Sequence, residues 1–496
     1  MYRVVFQKPS LWRRLDGWLP FDPTLLIAAS IGLLLGLAFF AGEWIQILVV
    51  ALIPFVLYAV VRNTMLVFLI WIGSTPILTN FIRVDMGAGI PDITIDRVAS
   101  LLLFMVLLFQ VAVRMRNLHR MVPLDWLMLA IFVLLLPGVF RGFDPITAAQ
   151  QIFDQILAPF IVFFLAKNLL TSQREIRPLV WTLGVVTLYC AVLGFQEHYT
   201  EYSFFTATGE LSWQQEGALA DRIQGPFESP QVLGTVMVGG IVFFFYQMFS
   251  ARRTLSRMAA FLILVIHTFV TYWTYRRSVW MGYFATLVFL GLVEKRFRRP
   301  LILLIALSTI VVAFNWQHIA DSSVFQERLA NSRTVNDRYI VWLTAWEMAK
   351  RFPLFGTGFG WFGHYYTKYF TFHGNTVTTE FAHNITSAHN SYIRMWVEGG
   401  PFLVILYVIM LLLMVRRVVH LLTGQLIHPS IGRMEVMVFV GVFLTQYVQA
   451  LTTDQIFHAE YSAILLFLLA GVLFQDCARP ARRSGIPAQP LRKPGA

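Results

Sequence analysis

The chain is poor in charge. Only 13% of its 496 residues are Asp, Glu, Lys or Arg, whereas 57% are hydrophobic and the mean hydropathy is +0.64. Soluble domains carry about 25% charged residues, so a water-soluble fold is excluded. Cysteine is nearly missing as well. Cys190 falls within an apolar run and Cys477 in the basic C-terminal tail, which leaves no disulfide framework. Charge is also missing from the middle of the apolar runs: Asp125, Asp154, Lys167, Arg276 and Arg277 sit near run ends. Ion-coupled transporters place ionisable groups at mid-bilayer, so this absence argues against that class. Four histidines, His364, His373, His383 and His389, crowd one long polar segment without the spacing of a zinc motif. Neither a metal nor a cofactor is expected.

What is abundant is apolar sequence. A spanning helix needs roughly 17–25 apolar residues, because it crosses about 30 Å at 1.5 Å per residue. Runs of this kind lie near 24–41, 44–61, 64–80, 98–113, 124–140, 152–169, 178–195, 231–249, 258–274, 278–293, 301–314, 400–415, 434–451 and 461–475. The expected fold is an all-α polytopic membrane protein of about 12–14 transmembrane helices. A basic segment, 1–22, precedes a bundle over 23–314 that is interrupted by a polar loop at 196–230. A large helical loop at 315–399 comes before the last three helices, 400–475, and a basic tail rich in Arg, Pro and Gly at 476–496 is expected to be disordered. The first apolar run has no small-residue cleavage site after it and is expected to be an uncleaved anchor.

Orientation follows from the loops. Arg13 and Arg14, Arg114 to Arg120, Arg174 and Arg177, Arg252 to Arg257, Lys295 to Arg299, Arg416 and Arg417, and the tail all fall in alternate gaps. Roughly two-thirds of the Lys and Arg residues lie on that side, and roughly three-quarters of the Asp and Glu lie on the other, as the positive-inside rule requires of a chain with both termini in the cytoplasm. The formal charge of +12 is therefore a topology signal spread over short loops, not a nucleic-acid surface.

A few polar residues break the pattern. Arg276-Arg277 stands in the short gap TYWTYRRSVWMGY, on the side where arginine is depleted. Two readings remain open: the pair snorkels to lipid headgroups, or it clamps phosphate with a guanidinium fork that never loses its charge. Arg222, flanked by Asp221 and Glu228, has the same choice between a local ion pair and an anion. Within the large loop, 337–350 (DRYIVWLTAWEMAK) has the pattern of an amphipathic helix against the bilayer or the bundle. Pro353 and glycines 356, 358 and 360 end it, and aromatics follow, as at a headgroup boundary. Two His-Asn pairs come next, His383-Asn384 and His389-Asn390.

In order and spacing these segments resemble the O-antigen ligase and O-antigen polymerase superfamily of bacterial inner-membrane glycan transferases. The R-x-x-G-x-F-x-x-P stretch is matched at Arg222, Gly225, Phe227 and Pro230, and the T-x-S-R-g segment by Thr274 to Gly282. The P-l-x-G-x-G segment is matched by Pro353 to Phe362, and the a-H-N-x-y segment by Ala388 to Tyr392, ending at Glu398-Gly399-Gly400. The resemblance covers about residues 200–410. The chain departs from it at Arg276, where Ser is usual, at Ser278, where Gly is usual, and at Gln231, where Asn is usual.

The resemblance implies metal-independent transfer of glycan from an undecaprenyl-diphosphate carrier to an acceptor hydroxyl on the periplasmic face of the cytoplasmic membrane. His389 would be the general base, with Arg222, Arg277 and Arg276 on the donor diphosphate and Asn390 or Tyr392 orienting the base or the acceptor. The acceptor would be a growing glycan or a lipid A-core, and the bilayer and other polysaccharide-export proteins would be partners. The alternatives are a lipid-linked glycan flippase, which would line its cavity with polar groups, and an export scaffold, which would not need arginines facing a His-Asn pair.

Overall fold

The computed structural model describes residues 58, 60–81, 83–84, 93–140, 144–200, 222–227, 229–314, 317, 333–370, 387–454, 460–475 and 479–480. The first apolar run and most of the second, most of the 196–230 loop including Asp221 and Glu228, the His383-Asn384 pair and most of the C-terminal tail lie outside these residues. The protein is an all-α membrane protein. Among the described residues six helices are long and apolar enough to cross a bilayer, and four shorter apolar ones accompany them.

Contacts divide the chain into two units, residues 1–71 with 99–118, and residues 72–98 with 119–496. The first contains the start of α1 (Thr64–Phe81) and most of α2 (Ile95–Ala112). There the buried Gln110 donates to Val61 O at 2.8 Å and to Thr64 Oγ1 at 2.7 Å, a polar tie of the sort that joins helices where lipid offers no hydrophobic driving force.

The second unit begins with the antiparallel pair β1 (Arg83–Val84) and β2 (Ile93–Thr94), which the sequence pattern does not reveal. It continues with α3 (Pro123–Val139), α4 (Pro145–Ile152), a π-helical turn (Phe153–Leu157), α5 (Ala158–Leu169), α6 (Gln173–Thr200), α7 (Pro230–Ser250), α8 (Thr254–Trp273), α9 (Arg277–Val293) and α10 (Lys295–Phe314). Then come α11 (Arg333–Arg351), α12 (Phe362–Tyr369), α13 (Ser391–Leu422), β3 (Leu426–Ile427), α14 (Arg433–Ala450), α15 (Glu460–Leu473) and β4 (Arg479–Pro480), which pairs with β3.

Helix α7 is the most enclosed of the long apolar helices. Its glycines make this possible: a Cβ on Gly234 would come within 2.4 Å of Val279 in α9, and one on Gly240 within 2.6 Å of His267 in α8. Small residues let helix backbones approach and gain dispersion contacts where hydrophobicity alone does not drive association.

The end of the bundle remote from His389 is closed by side chains that serve the last carbonyls of helices, which have no partner within their own helix. Arg417 donates to Leu473 O at 2.7 Å and Gln475 O at 2.8 Å, and Gln475 donates to Leu170 O. Lys167, fully buried, donates to Arg120 O and pairs with Asp125. Of the charges near run ends noted in the sequence, Asp125 and Lys167 are thus paired with each other. Arg97 and Asp154 also pair.

Helix α13 is two helices in one run. At Gly400 the backbone turns to φ 73°, ψ −179°, and Pro401 follows. Only a residue without a Cβ fits, since a Cβ here would lie 2.0 Å from Leu354 O. The short segment before the break, 391–399, carries the candidate site.

Candidate functional site

His389 is the residue just before the N-cap of α13. It is half-buried and has φ 49°, a left-handed conformation uncommon outside glycine. The strain of such a residue persists only where its surroundings over-determine it, and here they do. Asp454, in the link after α14, accepts from the backbone N–H of Ala388 and of Asn390, each at 3.0 Å. The peptide groups on both sides of His389 are therefore pinned by one carboxylate. Asn390 caps the helix, its Oδ1 accepting from Tyr392 N at 3.0 Å and Ile393 N at 3.1 Å, while its Nδ2 donates to Leu451 O at 3.0 Å. Ser391 Oγ donates to Thr453 O at 2.9 Å. The Asn390 amide is engaged with backbone on both its atoms, so it orients the chain that carries His389. Tyr392 is half-buried and within electrostatic reach of Tyr407 and Tyr447, whose hydroxyls are 3.1 Å apart.

Beneath this turn is a buried charge network. Arg394 lies 3.4 Å from Asp454 and 3.2 Å from Glu398. Glu398 also accepts from Phe362 N at 3.1 Å. The glycine-rich segment supplies the rest: Thr357 N donates to Val397 O at 2.8 Å and Gly358 N to Glu398 O at 3.0 Å. These are carbonyls that the break at Gly400 strips of intrahelical partners. The Pro353–Phe362 segment thus caps a broken helix from outside, with Gly356 and Gly358 at φ 63° and 103°.

Asp454 is expected to be a positioning residue. Breaking a buried ion pair by removing one charge costs on the order of 3–5 kcal/mol. Asp454→Asn should therefore lower the melting temperature and reduce kcat, with little change in donor KM because the arginines are untouched. Unchanged kcat in Asp454→Asn would remove the positioning role.

The arginines belong to the same region. Arg222 begins a turn, 222–227, whose N–H groups at Gln224 and Gly225 donate to the buried Glu197 carboxylate of α6, at 3.1 and 2.6 Å. Gly225 has φ 60°, and Phe227 stacks on Tyr461 at 5.4 Å. Ile223 N reaches Trp273 O at 3.4 Å, which sets the Arg222 turn against the last residue of α8. Three residues link α8 to α9. One of them, Tyr275, has φ 46°, and the turn places Arg276 at the N-cap and Arg277 as the first residue of α9.

A further arginine, not singled out in the sequence, completes the series. Arg338 of α11 is half-buried, and burial together with the Arg277 charge holds it below the usual guanidinium range. Four residues on, and so on the same side of the helix, Trp342 donates its indole N–H to Ala388 O at 3.0 Å. The Arg222 turn thus meets the end of α8, Arg277 is within electrostatic reach of Arg338, and Trp342, one helical turn beyond Arg338, bonds the peptide next to His389. Helix α11 is amphipathic as the sequence suggests. Its inner face (Val341, Ala345, Met348, Ala349) packs on Phe362, Tyr366, Ala388 and Val397.

Among the described residues no three His, Cys, Asp or Glu side chains are grouped so as to hold a metal ion. Of the residues singled out in the sequence, Arg222, Arg276, Arg277, His389, Asn390 and Tyr392 are all described. Asp454, Glu197, Arg338 and Trp342 carry no local motif, and only their long-range partners reveal them.

In comparison with known families, residues 259–408 match the family model described as O-Antigen ligase. The matched span runs from α8 through the glycine-rich segment and His389 into the membrane part of α13. No curated protein matches the chain.

Proposed function

Because the chain belongs to the O-antigen ligase and polymerase superfamily, we propose that it transfers glycan from an undecaprenyl-diphosphate carrier to an acceptor hydroxyl. The reaction takes place on the periplasmic face of the bacterial inner membrane, and both termini are cytoplasmic. The carrying observation is the pinned, left-handed His389, bonded through the Ala388 carbonyl to the helix that bears Arg338, which is within electrostatic reach of Arg277.

Each part has a chemical task. The acceptor hydroxyl attacks the anomeric carbon of the donor, the bond from that carbon to the phosphate oxygen breaks, and the diphosphate carrier leaves with the electron pair. His389 takes the hydroxyl proton as general base. Charge growing on the leaving diphosphate is stabilised by guanidinium groups already in place. Arg276 and Arg277 stand at the N-terminus of α9, the positive end of the helix dipole, where a cation is disfavoured and an anion is favoured. Arg338 lies within electrostatic reach of Arg277, and a diphosphate would interact favourably with both guanidinium groups. Acceptor and donor both arrive from the lipid phase, and the acceptor is a glycan or a lipid A-core.

Two measurements test this. In intact spheroplasts of a variant lacking both native cysteines, Thr367→Cys should react with a membrane-impermeant thiol reagent and Gln425→Cys should not; the reverse would place the site in the cytoplasm. Deletion of the gene should alter surface glycan: loss of long chains identifies a polymerase, and long chains stranded on the carrier identify a ligase. Unchanged glycan together with normal carrier turnover would refute transfer.

A further inference from the structure

The C-terminal end of α11 and the short helix α12 form a second basic surface, at a distance from the arginine group. Arg351 lies over the ring of Tyr369, 4.7 Å from its centroid, and Lys368 approaches the same ring at 5.5 Å. Tyr369 is parallel to Tyr365, with 2° between the ring planes and 6.1 Å between centroids. Lys350 is 5.7 Å from the Trp346 ring and pairs with Glu347. Arg351 and Lys368 are exposed, and among the described residues no carboxylate lies within ion-pair distance of either.

Cation–π contact accounts for how these charges are held, at about 0.5–1 kcal/mol for an exposed pair. It does not neutralise them. A flat pair of phenol rings flanked by uncompensated cations has the features that recognise an acidic sugar: C–H bonds on the electron-rich ring face and a carboxylate or phosphate on guanidinium and ammonium. The position adds a second argument. Arg351 is thirteen residues beyond Arg338 on one helix, about 20 Å at 1.5 Å per residue. A ligand touching both ends of α11 must be a chain, not a single sugar. We propose that the Arg351–Lys368–Tyr369 surface is a binding subsite for an anionic stretch of a glycan chain whose end is held at His389. The proposal rests on the transferase reading for the identity of that chain.

The test is direct binding, so that it does not depend on transfer. Full-length protein in nanodiscs of zwitterionic lipid is titrated with hexagalacturonate and, separately, with the neutral maltohexaose. Hexagalacturonate is expected to bind at least tenfold more tightly. The double variant R351Q/K368Q should lose at least tenfold of that affinity with an unchanged melting temperature, since exposed substitutions cost little stability. Because binding is read with no donor present and no transfer, its outcome is independent of whether His389 catalyses transfer, which separates this subsite from the catalytic reading. Equal affinity for the two oligosaccharides, or an unaltered double variant, would overturn the proposal. So would hexagalacturonate binding that is absent in zwitterionic discs while the same residues instead enrich anionic lipid around the protein, because the surface would then be a lipid contact.

Discussion

His389→Ala is expected to lower the rate of glycan transfer by about 10²–10⁴-fold, the usual cost of removing a positioned general base, while the protein remains folded in the membrane and able to bind the lipid-linked donor. Retention of the fold is expected because the turn is held through backbone, by Asp454 on both sides of the histidine and by the Asn390 cap. One complication is conformational. The residue has φ 49°, where alanine is strained but asparagine is several-fold enriched. His389→Asn therefore removes the base while keeping a residue suited to that backbone. Both variants should be equally inactive in a transfer assay on undecaprenyl-diphosphate-linked glycan. An active His389→Asn would defeat the general-base role, and an inactive alanine variant beside an active asparagine one would show that only the turn matters. His383→Ala, at the other His-Asn pair, should be nearly silent.

The arginines and the histidine were legible in the sequence because each breaks a local rule. Arg222, Arg276 and Arg277 stand on the side depleted of arginine, and His389-Asn390 precedes a helix. The groups that hold them were not legible, because their signal is not local. Asp454 is 66 residues from Ala388 and Glu197 is 28 from Gly225; read by position, either is one more carboxylate on an acid-rich face. Arg338 lies in a segment whose periodicity marks an amphipathic helix, and an arginine on such a helix is ordinarily solvated. Only the packing of α11 on the His389 turn changes its meaning. The glycine-rich segment and Gly399-Gly400-Pro401 were each visible as helix breakers, but that the first caps Val397 and Glu398 just before the second is a juxtaposition no local pattern shows. The all-α membrane character was legible, and the apolar helices among the described residues fall on runs read from the sequence, because hydropathy alone decides whether a segment leaves water. The polar ties between them, Gln110 on Val61 and Lys167 with Asp125, depend on pairing and were not.

Removal of an arginine from the donor site should have the next largest effect, and with an opposite sign for stability and activity. Loss of one charged contact to a shielded diphosphate is expected to cost roughly 2–4 kcal/mol of transition-state stabilisation, by analogy with a single oxyanion donor, or about 30–1000-fold in kcat/KM. Arg277→Lys should be impaired nearly as much as Arg277→Ala, since an ammonium cannot reproduce the planar fork, and Arg276→Ala should be milder. Arg338→Gln gives the more discriminating result. Arg338 is half-buried, and burial, with the Arg277 charge second, holds it below the usual guanidinium range, so its charge is costly in the empty protein and would be favoured by a bound anion. Wild-type protein should therefore melt at a higher temperature when inorganic pyrophosphate is added, because a ligand that binds only the folded state stabilises it by mass action. Arg338→Gln should melt higher than wild type without pyrophosphate, gain less from it, and transfer glycan more slowly. These three shifts belong together. A variant that melts higher but keeps full activity would mean that Arg338 is only a strained neighbour of Arg277, and wild-type protein indifferent to pyrophosphate would remove the anion site on which the donor assignment depends.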